Sequence, residues 1–130
     1  MSKSRLNLRT PLKNARGLGS AQTGVGHWWA QRMTALALIP LSLWFVASLL
    51  WVVQAGYADA QAWLTQPWHA GGIILLLLML FYHSWLGLQV VVEDYIHKPV
   101  AKFTTLISLK FIHFVLAVAS IFMVLRMTFA

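Results

Sequence analysis

Phe81-Tyr82-His83-Ser84-Trp85-Leu86-Gly87-Leu88-Gln89-Val90-Val91-Val92-Glu93-Asp94-Tyr95 is the stretch that decides the fold. It closes an apolar run that begins at Gly71, with a histidine inside the run and two acids and a tyrosine where the run stops. The run, 71–92, has the roughly 20-residue length that a helix needs to cross a bilayer. Two more runs of this kind flank it, 33–53 before and 106–125 after, the last with Lys110 near its start. The pattern predicts an all-α integral membrane protein with three transmembrane helices. Composition agrees. Of 130 residues, 59% are hydrophobic and only 10% charged, with a mean hydropathy of +0.69, and so little charge cannot cover a soluble domain of this size.

Read as a helix, this stretch places His83, Gly87, Val90 and Asp94 on one face. His83 and Asp94 then lie about 16 Å apart along the axis, one near mid-membrane and one near the interface. Ionisable side chains inside a membrane helix are costly and mark functional sites. Gly87, one turn from His83, removes a side chain beside the imidazole and lets a flat macrocycle or another helix approach. Glu93, Asp94 and Tyr95 end the span, and Pro99 prevents its helix from continuing. A tyrosine hydroxyl beside a carboxylate is suited to holding and protonating a quinone carbonyl oxygen.

Charge distribution sets the orientation. Lys3, Arg5, Arg9, Lys13, Arg16 and Arg32 precede or open the first span, and Lys98, Lys102 and Lys110 lie between the second and third spans or just inside the third. The first loop carries only Asp59 and the C-terminal end only Arg126. By the positive-inside rule, the N-terminal segment and the second loop are cytoplasmic. The net charge of +7 therefore reads as topology, and nucleic acid is not an expected partner. Residues 1–26 read as a basic cytoplasmic tail and 27–130 as a transmembrane domain. No apolar core precedes residue 33, as a secretory signal would require.

His27 and Arg32 flank the start of the first span, where they form a candidate clamp for a carboxylate or phosphate. Trp28 and Trp29 beside them read as interface aromatics. Pro40 is expected to kink the first span. In the outer loop, 54–70, Tyr57, Trp63 and Trp68 read as interfacial anchors and His69 as a solvated loop residue. His113 lies in the third span, offset from His83 by about 5 Å in depth, so spacing alone leaves open a haem held by both histidines within this chain. The absence of cysteine excludes covalently attached haem and cysteine-ligated iron–sulfur clusters here.

The run His83-Ser84-Trp85-Leu86-Gly87, followed by Asp94-Tyr95 and Pro99 on the second of three spans, resembles the hydrophobic membrane-anchor subunits of bacterial succinate dehydrogenase. These are the smaller cytochrome b-type partners of complex II, and the likeness covers nearly the whole chain. It implies a subunit without substrate chemistry of its own, part of a larger helical bundle with a second cytochrome b-type anchor subunit. Flavoprotein and iron–sulfur subunits would dock on the cytoplasmic face of the bacterial inner membrane. Succinate oxidation there would deliver electrons to ubiquinone, linking the tricarboxylic acid cycle to the respiratory chain.

By the same resemblance, His83 is the axial ligand of haem b, with the opposite ligand on the partner anchor. Tyr95 and Asp94 contact the quinone, Arg32 lies near the haem propionates, and His27 accompanies it. His27 departs from the pattern: its spacing to Arg32 is five where another member would have six. Two other classes stand beside this one, a membrane cytochrome b anchor holding haem between His83 and His113, and a non-redox scaffold or transporter subunit.

Overall fold

Every span in the computed structural model is a helix much longer than its apolar run. The model describes residues 22–129, so the expectation for most of the basic tail lies outside the described residues. Four helices follow in order: α1 (Gln22–Gln54), α2 (Tyr57–Thr65), α3 (Pro67–Tyr95) and α4 (Pro99–Phe129). Among the described residues, α1, α3 and α4 are long and apolar enough to cross a membrane. At 33, 29 and 31 residues they are each roughly 45–50 Å long. That exceeds the hydrocarbon thickness of about 30 Å, so their ends reach into the headgroup layers. Gln22–Gly26, read from the sequence as the end of the tail, is already the first part of α1.

Prolines set the boundaries. Pro67 opens α3 after Gln66 in an extended conformation (φ −67°, ψ 125°), where a missing N–H goes unnoticed and the fixed φ suits a helix start. Pro99 does the same for α4, which begins well before the apolar run at 106. Only Ile96–Lys98 separate α3 from α4, and so short a turn makes the two antiparallel neighbours. Pro40, by contrast, lies within α1, which remains one helix through it.

The spans form a row. Helix α3 packs against both α1 and α4, while α1 and α4 make no contact with each other. Accordingly, the buried apolar residues Ala70, Leu76, Leu86 and Val92 all belong to α3, and the one buried polar residue among those described is Thr34 of α1. Large apolar side chains on the outer helices face outward, with Leu43 and Phe111 each 68% exposed. In a membrane that surface meets lipid or another helix, not water.

The 54–70 connection, read from the sequence as a loop, is largely helical. It contains α2, which touches all three spans. Trp63 of α2 stacks on His69 (4.1 Å between ring centroids, 13° between planes) and on Trp44 of α1 (6.1 Å, 26°). His69 also donates from Nδ1 to the Trp63 carbonyl oxygen at 2.7 Å. His69 is therefore half-buried in the first turn of α3, not solvated in a loop, because Pro67 starts the helix two residues earlier and turns the imidazole back onto α2. Tyr57 and Trp68 are 84% and 87% exposed, so they remain free to sit at an interface, whereas Trp63 is committed to the stack. Beneath it, Gly72 lets α3 approach α1 closely: a Cβ there would lie 2.7 Å from the Trp44 ring.

Candidate functional site

On the half of the row nearest the basic segments, α1 and α3 meet along a polar seam. His27, Gln31 and Thr34 recur at spacings of four and three, which stacks them on one face of α1. They face His83, Gly87 and Val90 of α3. The helical face that the sequence marks with His83 and Gly87 is therefore the α1-facing side of α3.

Thr34 holds His83. Its Oγ1 lies 2.8 Å from the Ala30 carbonyl oxygen, 3.1 Å from that of Gln31, and 2.9 Å from His83 Nδ1. A hydroxyl has one proton to donate and two lone pairs to accept with. With the proton directed at the carbonyls, Oγ1 accepts from His83 Nδ1–H, and the unprotonated nitrogen is Nε2. Gln31 Nε2 stands 3.4 Å from His83 Nε2, a long contact in which the amide donates to that lone pair.

Beyond Gln31 lies an open groove of about 420 Å³ lined by Gly24, His27, Trp28, Gln31, Arg32, Gly87 and Val90. His27 Nε2 and Gln31 Oε1 are buried beside it with no hydrogen-bond partner among the described residues. Buried polar atoms without partners are uncommon, and they cost more where no water is at hand to satisfy them. A Cβ at Gly87 would stand 3.5 Å from Gln31 Nε2, an ordinary van der Waals contact, so Gly87 lies directly beside that side chain. Arg32 is exposed, its guanidinium 5.6 Å from the centroid of the Trp28 ring, a cation–π distance. It edges the same groove.

His113 is a different case. Its Nδ1–H donates to the Leu109 carbonyl oxygen at 2.8 Å, which leaves Nε2 to accept from the Ser84 hydroxyl at 3.2 Å. Phe81 and Trp85 pack edge-on against the ring. Both nitrogens are thus satisfied inside the α3–α4 interface. Consecutive residues of α3, His83 and Ser84, look toward α1 and α4 respectively. The two histidines are separated by the side of α3 they occupy, not only by the difference in depth expected from the span ends.

Asp94 and Tyr95 form the last residues of α3, both exposed, Tyr95 at 79%. The end of the helix is braced from α4, where Lys102 Nζ donates to the Glu93 carbonyl oxygen at 2.9 Å, and within α3 itself Gln89 donates to the Glu93 carboxylate at 2.8 Å. A cation on a carbonyl at a helix C-terminus is favourably placed in the helix dipole. Sequence reasoning finds His27, Arg32, His83, Asp94 and Tyr95 but not Gln31, Thr34 or Lys102. The first two were within reach through their spacing from His27. The third depends on how the turn folds α4 back.

Three membrane-length helices, with a polar seam around an imidazole and an acid–tyrosine pair at one end, define a multi-pass subunit of the membrane-anchor class. Comparison with known proteins gives the family. Residues 7–124 match the succinate dehydrogenase/fumarate reductase transmembrane subunit family, and the chain belongs to it. It is 32% identical to a succinate dehydrogenase hydrophobic membrane anchor subunit of Rickettsia bellii (strain RML369-C), over 88% of this chain and 92% of the relative. The protein of the same description from Paracoccus denitrificans is 29% identical, over 85% of each chain. A succinate dehydrogenase membrane anchor subunit of Reclinomonas americana is 23% identical, over 70% of this chain and 78% of the relative. No solved structure matches the chain. The relatives are named as anchors, and the resemblance read from the His83–Tyr95 stretch leads to the same family.

Proposed function

We propose that this chain is the hydrophobic membrane-anchor subunit of a succinate dehydrogenase, holding one side of a haem b site at His83 and contributing Tyr95 and Asp94 to a ubiquinone site. It contributes anchoring and electron-path groups, while succinate chemistry belongs to flavoprotein and iron–sulfur subunits docked on the cytoplasmic side. The charge asymmetry supports that orientation in the inner membrane, with the acid–tyrosine end of α3 facing those subunits.

The observation that carries the reading is the state of the α1–α3 seam. His83 is held through Nδ1, which leaves Nε2 as the ligating nitrogen, and the adjoining groove keeps His27 Nε2 and Gln31 Oε1 buried and unpaired. A haem fits this donor set. His83 Nε2 would hold the iron, and His27 and Arg32 at the edge of the groove would neutralise the propionates, whose charge is costly to leave unpaired at low dielectric. Bound there, the haem supplies a one-electron redox centre inside the membrane. His113 is engaged with Ser84 and Leu109 on the other side of α3, so a further ligand to the haem iron would be supplied by the partner anchor.

Tyr95 and Asp94 stand ready at the quinone end. The phenol would donate a hydrogen bond to a quinone carbonyl oxygen, and the neighbouring carboxylate would relay a proton. Their exposure in the single chain is what a site completed by other subunits requires. The direct test is to purify the complex through this chain. A b-type absorption spectrum with co-purifying flavin is expected, and a complex lacking both would overturn the reading.

Tyr95→Phe is expected to keep assembly and haem but weaken quinone reduction. Losing one hydrogen bond typically costs about 0.5–1.5 kcal/mol, up to about tenfold in affinity. Succinate oxidation measured with an artificial acceptor should be unaffected. Unchanged quinone reductase kinetics would remove Tyr95 from the site.

A further inference from the structure

We infer that Thr34 is the positioning residue of His83: its hydroxyl fixes the tautomer and orientation of the imidazole and tunes the electron density on Nε2. This rests on the haem reading above and goes beyond it, since it concerns a residue that does not touch the haem. The starting observation is burial. Thr34 is 5% exposed and is the one buried polar residue among those described, the other described buried residues being apolar. A buried hydroxyl needs partners, and it has them on both sides: the carbonyls of Ala30 and Gln31 in its own helix, and His83 Nδ1 across the seam.

The donor count gives the bond a direction once Nε2 ligates a metal. An imidazole bound through Nε2 and still neutral carries its proton on Nδ1, so Thr34 Oγ1 accepts from it. The hydroxyl proton is then left for the carbonyls one turn back, where the 2.8 Å contact to Ala30 already places it. The alternative, with Thr34 donating to Nδ1, puts the proton on Nε2 and blocks ligation. The i−4 carbonyl contact thus selects the ligating tautomer. An acceptor on Nδ1–H also pushes electron density toward Nε2, makes it a stronger donor to iron, and favours the oxidised metal. Hydrogen bonds of this kind to a ligating histidine both orient it and raise its basicity.

Valine and serine substitutions separate this role from packing. Thr34→Val keeps the branched shape and loses the acceptor, and Thr34→Ser keeps the acceptor and loses a methyl group. In the purified complex, Thr34→Val is expected to hold haem about 10–100-fold less tightly, the usual effect of removing such a partner. Its haem midpoint potential is expected to shift upward, while Thr34→Ser stays close to wild type in both. Thr34→Ala, smaller and also without an acceptor, carries the same expectation as valine should valine disturb assembly. Haem per flavin and a redox titration of the b-type bands are the readouts. A hydroxyl-free variant with wild-type haem retention and potential overturns the inference, as does a serine variant shifted as far as valine. His83→Leu in parallel distinguishes the two levels. Loss of the b-type bands there with an unaltered Thr34→Val sinks only the role of Thr34, whereas bands that persist sink the haem reading itself.

Discussion

Substituting His83 with leucine in the assembled complex is expected to abolish the b-type absorption bands, while His113→Leu leaves them nearly intact. The first change removes the nitrogen proposed to ligate haem and leaves Thr34 Oγ1 facing a methyl group. The second removes a ring whose nitrogens are already spent on Leu109 and Ser84. Its loss frees the Ser84 hydroxyl, which can turn to a carbonyl of its own helix. Polar contacts between membrane helices contribute about 0.6 kcal/mol on average, so α4 should stay in place. The chain expressed without its partners should bind haem poorly, since it holds one side of the site. A full six-coordinate spectrum in the isolated chain, destroyed by His113→Leu, would instead make this an anchor that ligates haem within one chain.

The second large effect is expected at the opposite end of the row. Gly72→Leu places a side chain where even a Cβ would stand 2.7 Å from the Trp44 ring. That ring cannot simply move off, because Trp63 stacks on it and His69 stacks on Trp63. Overfilling a packed contact costs about 1–3 kcal/mol, and here it also levers α2 off the spans. The purified complex should melt at a lower temperature and show faster proteolysis within 56–66. Trp44→Leu added to Gly72→Leu should restore part of the loss by vacating the space. The b-type spectrum of the folded fraction should not change, since the α1–α3 seam lies well along both helices from Gly72 and distant sites act independently. A melting temperature unchanged by Gly72→Leu would show that the close approach of α1 and α3 is not needed.

The spans are legible because bilayer thickness translates into a residue count, and an apolar run long enough to match it is rare in a chain that folds in water. The site face of α3 is legible for a related reason: in a uniformly apolar helix, His83, Gly87 and Asp94 stand out, and helical spacing aligns them. Thr34 and Gln31 do not stand out in the same way. They sit where a span begins, and polar residues there read as interfacial until the facing residue is known. His69 reads as a loop residue in the sequence because Pro67 ends a loop and starts a helix in the same step. The partners of His113 and Lys102 are out of reach, since they depend on the register of α4 against α3. A three-residue turn sets that register, and hydropathy does not encode it.

A row of three helices has two open faces and no inside. His27 Nε2 and Gln31 Oε1 are buried at the edge of the groove with no hydrogen-bond partner among the described residues, so a solitary copy would present to acyl chains a groove that they cannot solvate. Such a copy is expected to be degraded faster in the membrane than one whose groove is closed. The lifetime of the chain in the cell is then set by how quickly its complement is made. If the groove takes haem and a facing subunit as proposed, strains short of either should hold less of this polypeptide even with its messenger unaltered.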